Sequence, residues 1–397
     1  MPALRRNSAA RSVSAGEVFA LIREGVTATR AEVREATGLS RTAVAARIAA
    51  LEGLGLVTEH EEGASTGGRP PTLLRFDAAA GVVLAVAIGR SRTCLAVADL
   101  AGSIQAHQEV DLDGRAGPED LMPQLVKRLE ALVAESGHDL TDIRGVGLSL
   151  PGAVDQTRGA ILNSPIMSGW DGVELAPFFA GLTAAPVLVD NDANVMALAE
   201  WRGHHRGIDD LLMLKLSTGL GAGIIAGGAL RRGAVGAAGE FGHNKIPAAQ
   251  GLLCRCGDTG CLEAIAGGWT LVRALQEHGH PVGHIRDVVE LANRGEPEAR
   301  RLLRDSGRHI GDAVAAAVNL LNPAVVVVGG DMARAYDFLV AGLRETLYGA
   351  ATALATRALQ VVPTSYGESS AVLGSAALIL HRILSADAVD AALAHRR

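Results

Sequence analysis

The sequence predicts an α/β protein preceded by a small helix-turn-helix module with a wing. Three observations predict it. Residues 1–76 are patterned differently from the rest of the chain. From about Val82 onward, apolar runs of strand length alternate with helical runs. A strand–turn–strand unit at 82–98 recurs in character at 211–226, "LLMLKLSTGLGAGIIAG", which suggests a duplicated fold with a cleft between two lobes. The chain has 397 residues and 48% hydrophobic content, enough for two or three domains with ample cores.

The front module comes first. "AGEVFALIREG" reads as an amphipathic helix ended by Gly25. "TRAEVREATGLSRTAVAARIAALEGLGLV" reads as helix, tight turn, helix: Ala31, Val33 and Ala36 give an apolar face, Gly38 stops the first helix, and Ser40 caps the second. Val44, Ile48 and Leu51 fall at i, i+4 and i+7 and face inward, leaving Arg41, Thr42, Ala45, Ala46 and Arg47 outward. "LVTEH" and "TLLRF" read as two strands around "EEGASTGGRPP", with Arg69 near the tip beside the stiff Pro70-Pro71. Charge separates the two parts. Residues 1–75 carry ten Arg and eight Glu, a net of +2, while the remainder carries 27 basic and 35 acidic residues, a net of −8. Only the front can comfortably approach a polyanion. Ser40, Arg41, Thr42, Arg47 and Arg69 are therefore the candidate DNA contacts, the helix in the major groove and the wing on phosphate or the minor groove. The bland alternative is a packing module with a solvated charged face.

In the body, "GVVLAVAI", "TCLAVADL", "RGVGLSLPG", "APVLVD", "LLMLKLS", "GAGIIAG" and "AVVVVGG" are strand candidates. Helical runs lie between them, and "SSAVLGSAALILHRILSA" can cross back onto the first lobe. "STGLGAG", 217–223, places Thr218, Gly219 and Gly221 where backbone amides can meet phosphate, or where glycines merely serve a tight hairpin. "VDNDANV", 189–195, ends a strand and opens a helix, so Asp190, Asn191 and Asp192 stand where a carboxylate can take a substrate proton, or simply cap the helix. The strongest signal is "GEFGHNKIPAAQGLLCRCGDTGCLE". Cys254, Cys256 and Cys261 cluster in a chain with four cysteines, and His243 lies eleven residues ahead. Three thiolates and an imidazole satisfy tetrahedral Zn²⁺. Glu240 and Glu263 flank the cluster as hard oxygen ligands and are read as binding something else. No run of ~18 apolar residues predicts a membrane span, the start lacks a secretory h-region, and sparse cysteines suit a reducing cytoplasm.

These pieces carry a resemblance. "SLPGAVD", "NSPIMSGW", "DNDANV", "STGLGAGI", "GEFGH", "CRCGDTGCLE" and "VVVVGG", in this order over about 82–380, resemble the ROK family of sugar-responsive repressors and sugar kinases, and "STGGRPP" resembles its DNA-binding branch. The resemblance implies an N-terminal winged helix-turn-helix over 1–76 and a two-lobed actin-like sugar-kinase fold. The first lobe would be 77–190 plus 367–397, and the second 191–366 with the zinc loop. It implies that Asn163, Asn191, Asp192, Glu240, His243 and Glu263 bind sugar hydroxyls, with Asp192 the general base if the chain is a kinase. It also implies that His243, Cys254, Cys256 and Cys261 hold a structural Zn²⁺. His243 would serve twice, one ring nitrogen on the metal and the other on the sugar.

One turn departs from the family. Its kinases resemble D-x-G-G-T where this chain has Ala87-Ile88-Gly89-Arg90-Ser91, so the metal-organising carboxylate and the second glycine are gone. The expectation is a cytoplasmic transcriptional regulator, a repressor, with operator DNA and a sugar or sugar-derivative effector as partners. It would form a homodimer or homotetramer and carry Zn²⁺ rather than ATP/Mg²⁺. An active hexose or N-acetylhexosamine kinase that also binds DNA, and a DNA-binding protein answering to a partner protein, are the alternatives.

Overall fold

The computed structural model describes residues 13–61, 72–90, 92–111, 116–162, 167 and 169–395. Arg69 and Asn163 lie outside the described residues.

The front module is three helices and a two-stranded sheet. Capping boxes at Ser14/Glu17 and Thr29/Glu32 start helices Ala15–Arg23 and Arg30–Thr37. Gly38 ends the second with φ 70°, and Ser40 starts helix Arg41–Gly53 by accepting from the Ala43 amide at 3.2 Å. Strands Val57–Glu61 and Thr72–Phe76 pair antiparallel. Two expectations change. Helix Arg30–Thr37 buries only Val33, while Ala31 and Ala36 are exposed; Ala31, two positions from Val33, points to nearly the opposite face. Arg41 and Thr42 face outward, but Arg47 is half-buried, its Nε donating to the Val13 carbonyl at 2.6 Å and its guanidinium to that of Ala43 at 3.0 Å. Position 47 is i+3 from Val44 and i−4 from Leu51, so it borders the buried stripe.

The body contains two five-stranded sheets. In the first, the spatial order is Ile104–Val110, Thr93–Asp99, Val82–Ile88, Ile143–Leu150, Val187–Asn191. In the second it is Leu230–Arg231, Leu220–Ile225, Leu211–Leu216, Val325–Gly329, Gln360–Pro363. Both orders read third, second, first, fourth, fifth along the chain, with antiparallel pairing before the first strand and parallel pairing after it. The echo between the two hairpins therefore extends to a whole repeated sheet. Helix Pro118–Glu135 covers one face of the first sheet. Helices Pro297–Leu321 and Tyr336–Ala350 share the core of the second. Helix Ser370–Ile383 returns to the other face of the first sheet, where Ser375 Oγ donates to the Val86 carbonyl at 3.1 Å.

One helix lies between the halves. Asp192–Arg202 is buried without interruption from Asp192 to Glu200. Glycines let its neighbours approach: a Cβ on Gly374 would lie 2.1 Å from the Val195 carbonyl, and one on Gly223 would lie 2.3 Å from that of Ala193. Near its far end, the buried Glu200 accepts from Thr364 Oγ1 (2.6 Å), the Ser365 amide (2.6 Å) and Ser365 Oγ (2.9 Å), tying down the chain where it leaves the second sheet.

The front module has no linker freedom against the body. Val18, Phe19, Ile22 and Ile48 share one hydrophobic cluster with Val83, Ala85, Ile379 and Val389. The Gly16 amide donates to Asp390 at 2.8 Å and Arg23 to the Leu384 carbonyl at 3.1 Å. Arg202 meets His381 Nδ1 at 2.6 Å. Burial, reinforced by Arg202 and Arg23, pushes the His381 imidazole down to about 4.

Two outcomes are expected. Gly→Ala in a helix ordinarily stabilises by about 1 kcal/mol, but Gly374→Ala reverses the sign and destabilises by ~1–3 kcal/mol through the clash with Val195, read in a denaturant melt. Because the folded His381 pKa lies below its unfolded value of ~6.5, its contribution is complete above pH ~6.5 and lost as pH falls toward 4. A His381→Asn variant flattens that part of the stability–pH curve.

Candidate functional site

Strand ends of the two sheets, with the turns that follow them, line a cleft of about 1080 Å³. Asn191, Asp192, Thr218, Gly219, Gly221, Glu240, His243 and Glu263 all line it, so the described residues assigned to sugar and nucleotide are brought together.

Their roles divide. Asn191 is the helix cap: Oδ1 accepts from the amides of Ala193 (2.8 Å) and Asn194 (3.3 Å), while Nδ2 donates to the Gly152 carbonyl at 3.0 Å. Asp190 is buried and held by Asn194 Nδ2 (2.9 Å) and Arg232 Nε (2.7 Å). Asp192 does not cap. Its carboxylate meets the ammonium of Lys215, from strand Leu211–Leu216. Burial lowers the Lys215 pKa, but Asp192, joined by Asp331 and Glu263, more than offsets it, and the ammonium ends above its ordinary value. Glu263 Oε2 accepts from the Leu220 amide at 2.9 Å. Glu240 is held above the usual carboxylate range by burial.

The glycines of 217–223 act by close approach. None of Gly219, Gly221 and Gly223 has a positive φ. A Cβ on Gly219 would lie 2.8 Å from Glu263 Oε2. Gly221 and Gly223 face helix Asp192–Arg202. In the opposite turn Ala87, Gly89, Arg90 and Arg92 line the cleft. Glu368, from the crossing segment, pairs at 2.9 Å with both Arg92 and Arg334, joining the first-sheet turn to the second half.

Beside the cleft, one donor atom from each of His243, Cys254, Cys256 and Cys261 lies within 4.8 Å of the others. Cys254 Sγ is 3.8 Å from His243 Nδ1, and Cys256 Sγ is 3.7 Å from Cys261 Sγ. A tetrahedron with metal–sulfur bonds of ~2.3 Å has edges of about 3.8 Å, so the set fits a four-coordinate metal ion. The other ring nitrogen of His243, Nε2, lies 3.6 Å from Glu240 Oε2. The imidazole thus presents Nδ1 to the cysteines and Nε2 to the cleft carboxylate. Lys245 Nζ reaches Cys261 Sγ at 3.1 Å and Asp258 at 2.6 Å.

Three residues escaped the sequence reading: Lys215, Lys245 and Glu368. Lys215 had a signal, as the one charged residue in "LLMLKL". The other two had none.

Two repeated sheets closing on a cleft, with functional side chains at strand ends, define a two-lobed body of the actin-like class. The ROK family model matches residues 83–382, and the chain belongs to the ROK family. It is 26% identical to the xylose repressor of Bacillus spizizenii over 357 residues, covering 90% of this chain and 92% of the relative. A ROK family transcriptional regulator described as a homolog of the E. coli MLC protein superposes with TM-score 0.80 at 24% identity, over 97% of this chain and 99% of that one. A ROK family glucokinase from Streptomyces griseus, solved with glucose and AMPPNP, gives TM-score 0.63 at 32% identity, over 75% of this chain and 99% of the kinase.

For the metal cluster, the expected content is one ion per chain by elemental analysis. Cys261→Ser removes it, and a strong chelator lowers the melting temperature of the parent chain but not of this variant.

Proposed function

We propose that the chain is a sugar-responsive transcriptional regulator acting as a repressor. Residues 1–76 are its DNA-binding half, and the interlobe cleft is its effector site. The observation that carries the reading is the fusion of the two: a helix-turn-helix and the first lobe of the ROK body share one hydrophobic core. The xylose repressor matches this chain over 90% of its length, whereas the glucokinase structure covers 75%.

On this reading Ser40, Arg41 and Thr42 read the major groove and Arg69 reaches the backbone from the wing. Arg47 is set aside as a contact, since its guanidinium is bound to Val13 and Ala43. Glu240, Glu263 and Asp192 accept sugar hydroxyls, with Asn191 fixing the helix that presents Asp192 and Asn163 completing the set. The four-residue cluster holds Zn²⁺, whose part is structural: it fixes Nδ1 of His243 so that Nε2 faces the sugar. The effector acts by binding one lobe arrangement better than the other, which alters the presentation of the DNA-binding modules in a homodimer or homotetramer. The setting is the cytoplasm. Among the described residues no single helix is long and apolar enough to cross a membrane.

A kinase reading draws on the likeness to the glucokinase and on Asp192 in the cleft. One feature opposes it: Ala87 stands where the family resemblance implies a metal-organising carboxylate.

The test is DNA selected from a random pool, followed by anisotropy titration with a panel of pentoses, hexoses and N-acetylhexosamines. Arg41→Ala weakens DNA binding about tenfold or more and leaves sugar affinity unchanged. Asp192→Ala and Glu240→Ala weaken sugar binding at least tenfold and leave sugar-free DNA affinity unchanged. Sugar binding that survives both changes places the effector elsewhere. Sugar-dependent ADP release from Mg-ATP at ordinary kinase rates establishes the kinase reading instead.

A further inference from the structure

Three helices end at the joint between the front module and the body. Arg23 stands in the last turn of Ala15–Arg23, Arg202 closes Asp192–Arg202, and His381 stands in the last turn of Ser370–Ile383. Arg206 joins them from the turn after the second of these helices, its Nε donating to the Arg202 carbonyl at 2.5 Å. None of these four side chains lines the interlobe cleft, and the proposed function gives them no ligand.

The three guanidiniums sit together without a counter-charge. Burial lowers the pKa of Arg23 and of Arg202, and Arg206 lowers both further by like-charge repulsion. Glu24 is the acid that opposes this, from an exposed position. Among the described residues, no carboxylate forms an ion pair with Arg23, Arg202 or Arg206. Other arginines of the chain are answered: Arg92, Arg158, Arg232, Arg301 and Arg308 each meet an acid.

Arg202 is also held in place. Its guanidinium lies 4.5 Å over the Trp201 ring, and that indole is fixed by donating to the Ile208 carbonyl at 2.9 Å. One terminal nitrogen donates to His381 Nδ1 at 2.6 Å. A guanidinium only donates, so Nδ1 is the acceptor and the neutral ring carries its proton on Nε2, one more donor. The Nε of Arg202 is buried and has no partner among the described residues. A buried donor left unpaired is costly, and more so on a charged group.

The simpler account is that these arginines serve helix dipoles. Three C-termini converge, each equivalent to about half a negative charge, which offsets only part of three full positive charges. Arg23 does donate to the Leu384 carbonyl and Arg206 to that of Arg202. Each guanidinium has five N–H donors, and the bonds to Leu384, His381 and Arg202 use one apiece. The donors and the charge that remain suit an anion with several acceptor oxygens.

We infer that this joint is a binding site for a phosphate-group oxyanion, held by Arg23, Arg202 and Arg206 between the front module and the body. The planar guanidinium fork matches phosphate oxygens in geometry as well as charge. The bound group neutralises the cluster and ties the three helix ends together, so it stiffens the joint that carries the front module. Two sources supply this chemistry, a free phosphate compound and the backbone of bound DNA. The burial favours the free one, since Arg23 and Arg202 are half-buried and of the three only Arg206 is exposed.

The experiment uses the full chain in a phosphate-free buffer, with ionic strength held constant by sodium chloride. Inorganic phosphate is titrated by calorimetry and in thermal melts. Saturable binding is expected, with a rise in melting temperature of about 2 °C at ten times the dissociation constant. Arg202→Gln and Arg206→Ala each weaken phosphate tenfold or more, and Arg206→Lys retains part of the binding. Arg206→Ala, on the exposed side, carries the test if Arg202→Gln does not fold. A second arm measures DNA affinity against salt without phosphate. If the DNA backbone is the source, free phosphate gives no shift, and Arg206→Ala lowers the slope of log affinity against log salt by about one. A phosphate response unchanged in every folded variant overturns the inference. So does the absence of free-phosphate binding together with an unchanged salt slope in Arg206→Ala.

Discussion

The helix from Asp192 to Arg202, packed backbone-close between the two lobes, is the constraint on which the rest depends. Its neighbours touch it through Gly223 and Gly374, so no side chain cushions the contact. Interiors packed this closely have little compliance. The functional end of the helix, with its Asn191 cap and Asp192, is thereby set against the cleft. Its other end, with Glu200 and Arg202, is set against the crossing segment and the helix that carries His381. A movement at either end has no slack to disappear into.

The cleft around it carries charges that pair across the lobes. Ala87 lines the cleft and offers no polar side chain there. The arginines of the neighbouring turn face the cavity, and Arg92 joins Glu368 and Arg334 in a contact between the halves. Lys215 pairs with Asp192 at the cleft end of the helix.

The parts of this arrangement legible in the sequence are those whose information is local. Apolar runs of strand length and their echo gave the repeated sheet. The histidine–cysteine cluster was readable because its three cysteines fall within 254–261 and its histidine in a recognisable stretch. Ser40 and Gly38 were readable because capping depends on a few neighbouring residues. The misses are tertiary. Lys215 and Asp192 are separated by 23 positions and meet only once strand and helix pack. Arg47 belongs to the outer face by composition, yet the carbonyl it binds comes from Val13, 34 positions away. The glycines of 217–223 suggested turn geometry, but their reason lies across the interlobe contact, which periodicity does not encode.

The joint between the helix-turn-helix and the body has a consequence for how DNA is met. A reading head on a loose tether tolerates binding sites at many separations. Here helix Ala15–Arg23 is pinned to Ala386–His395 by Gly16, Asp390 and a common apolar seam. In any assembly of two such chains, the distance and the rotation between the two heads are then properties of the bodies. The double helix turns once in roughly 10.5 base pairs. Inserting half a turn between two sites would put the second on the wrong side of the duplex, beyond what this joint can swivel to reach, whereas inserting a whole turn would restore the facing but not the distance.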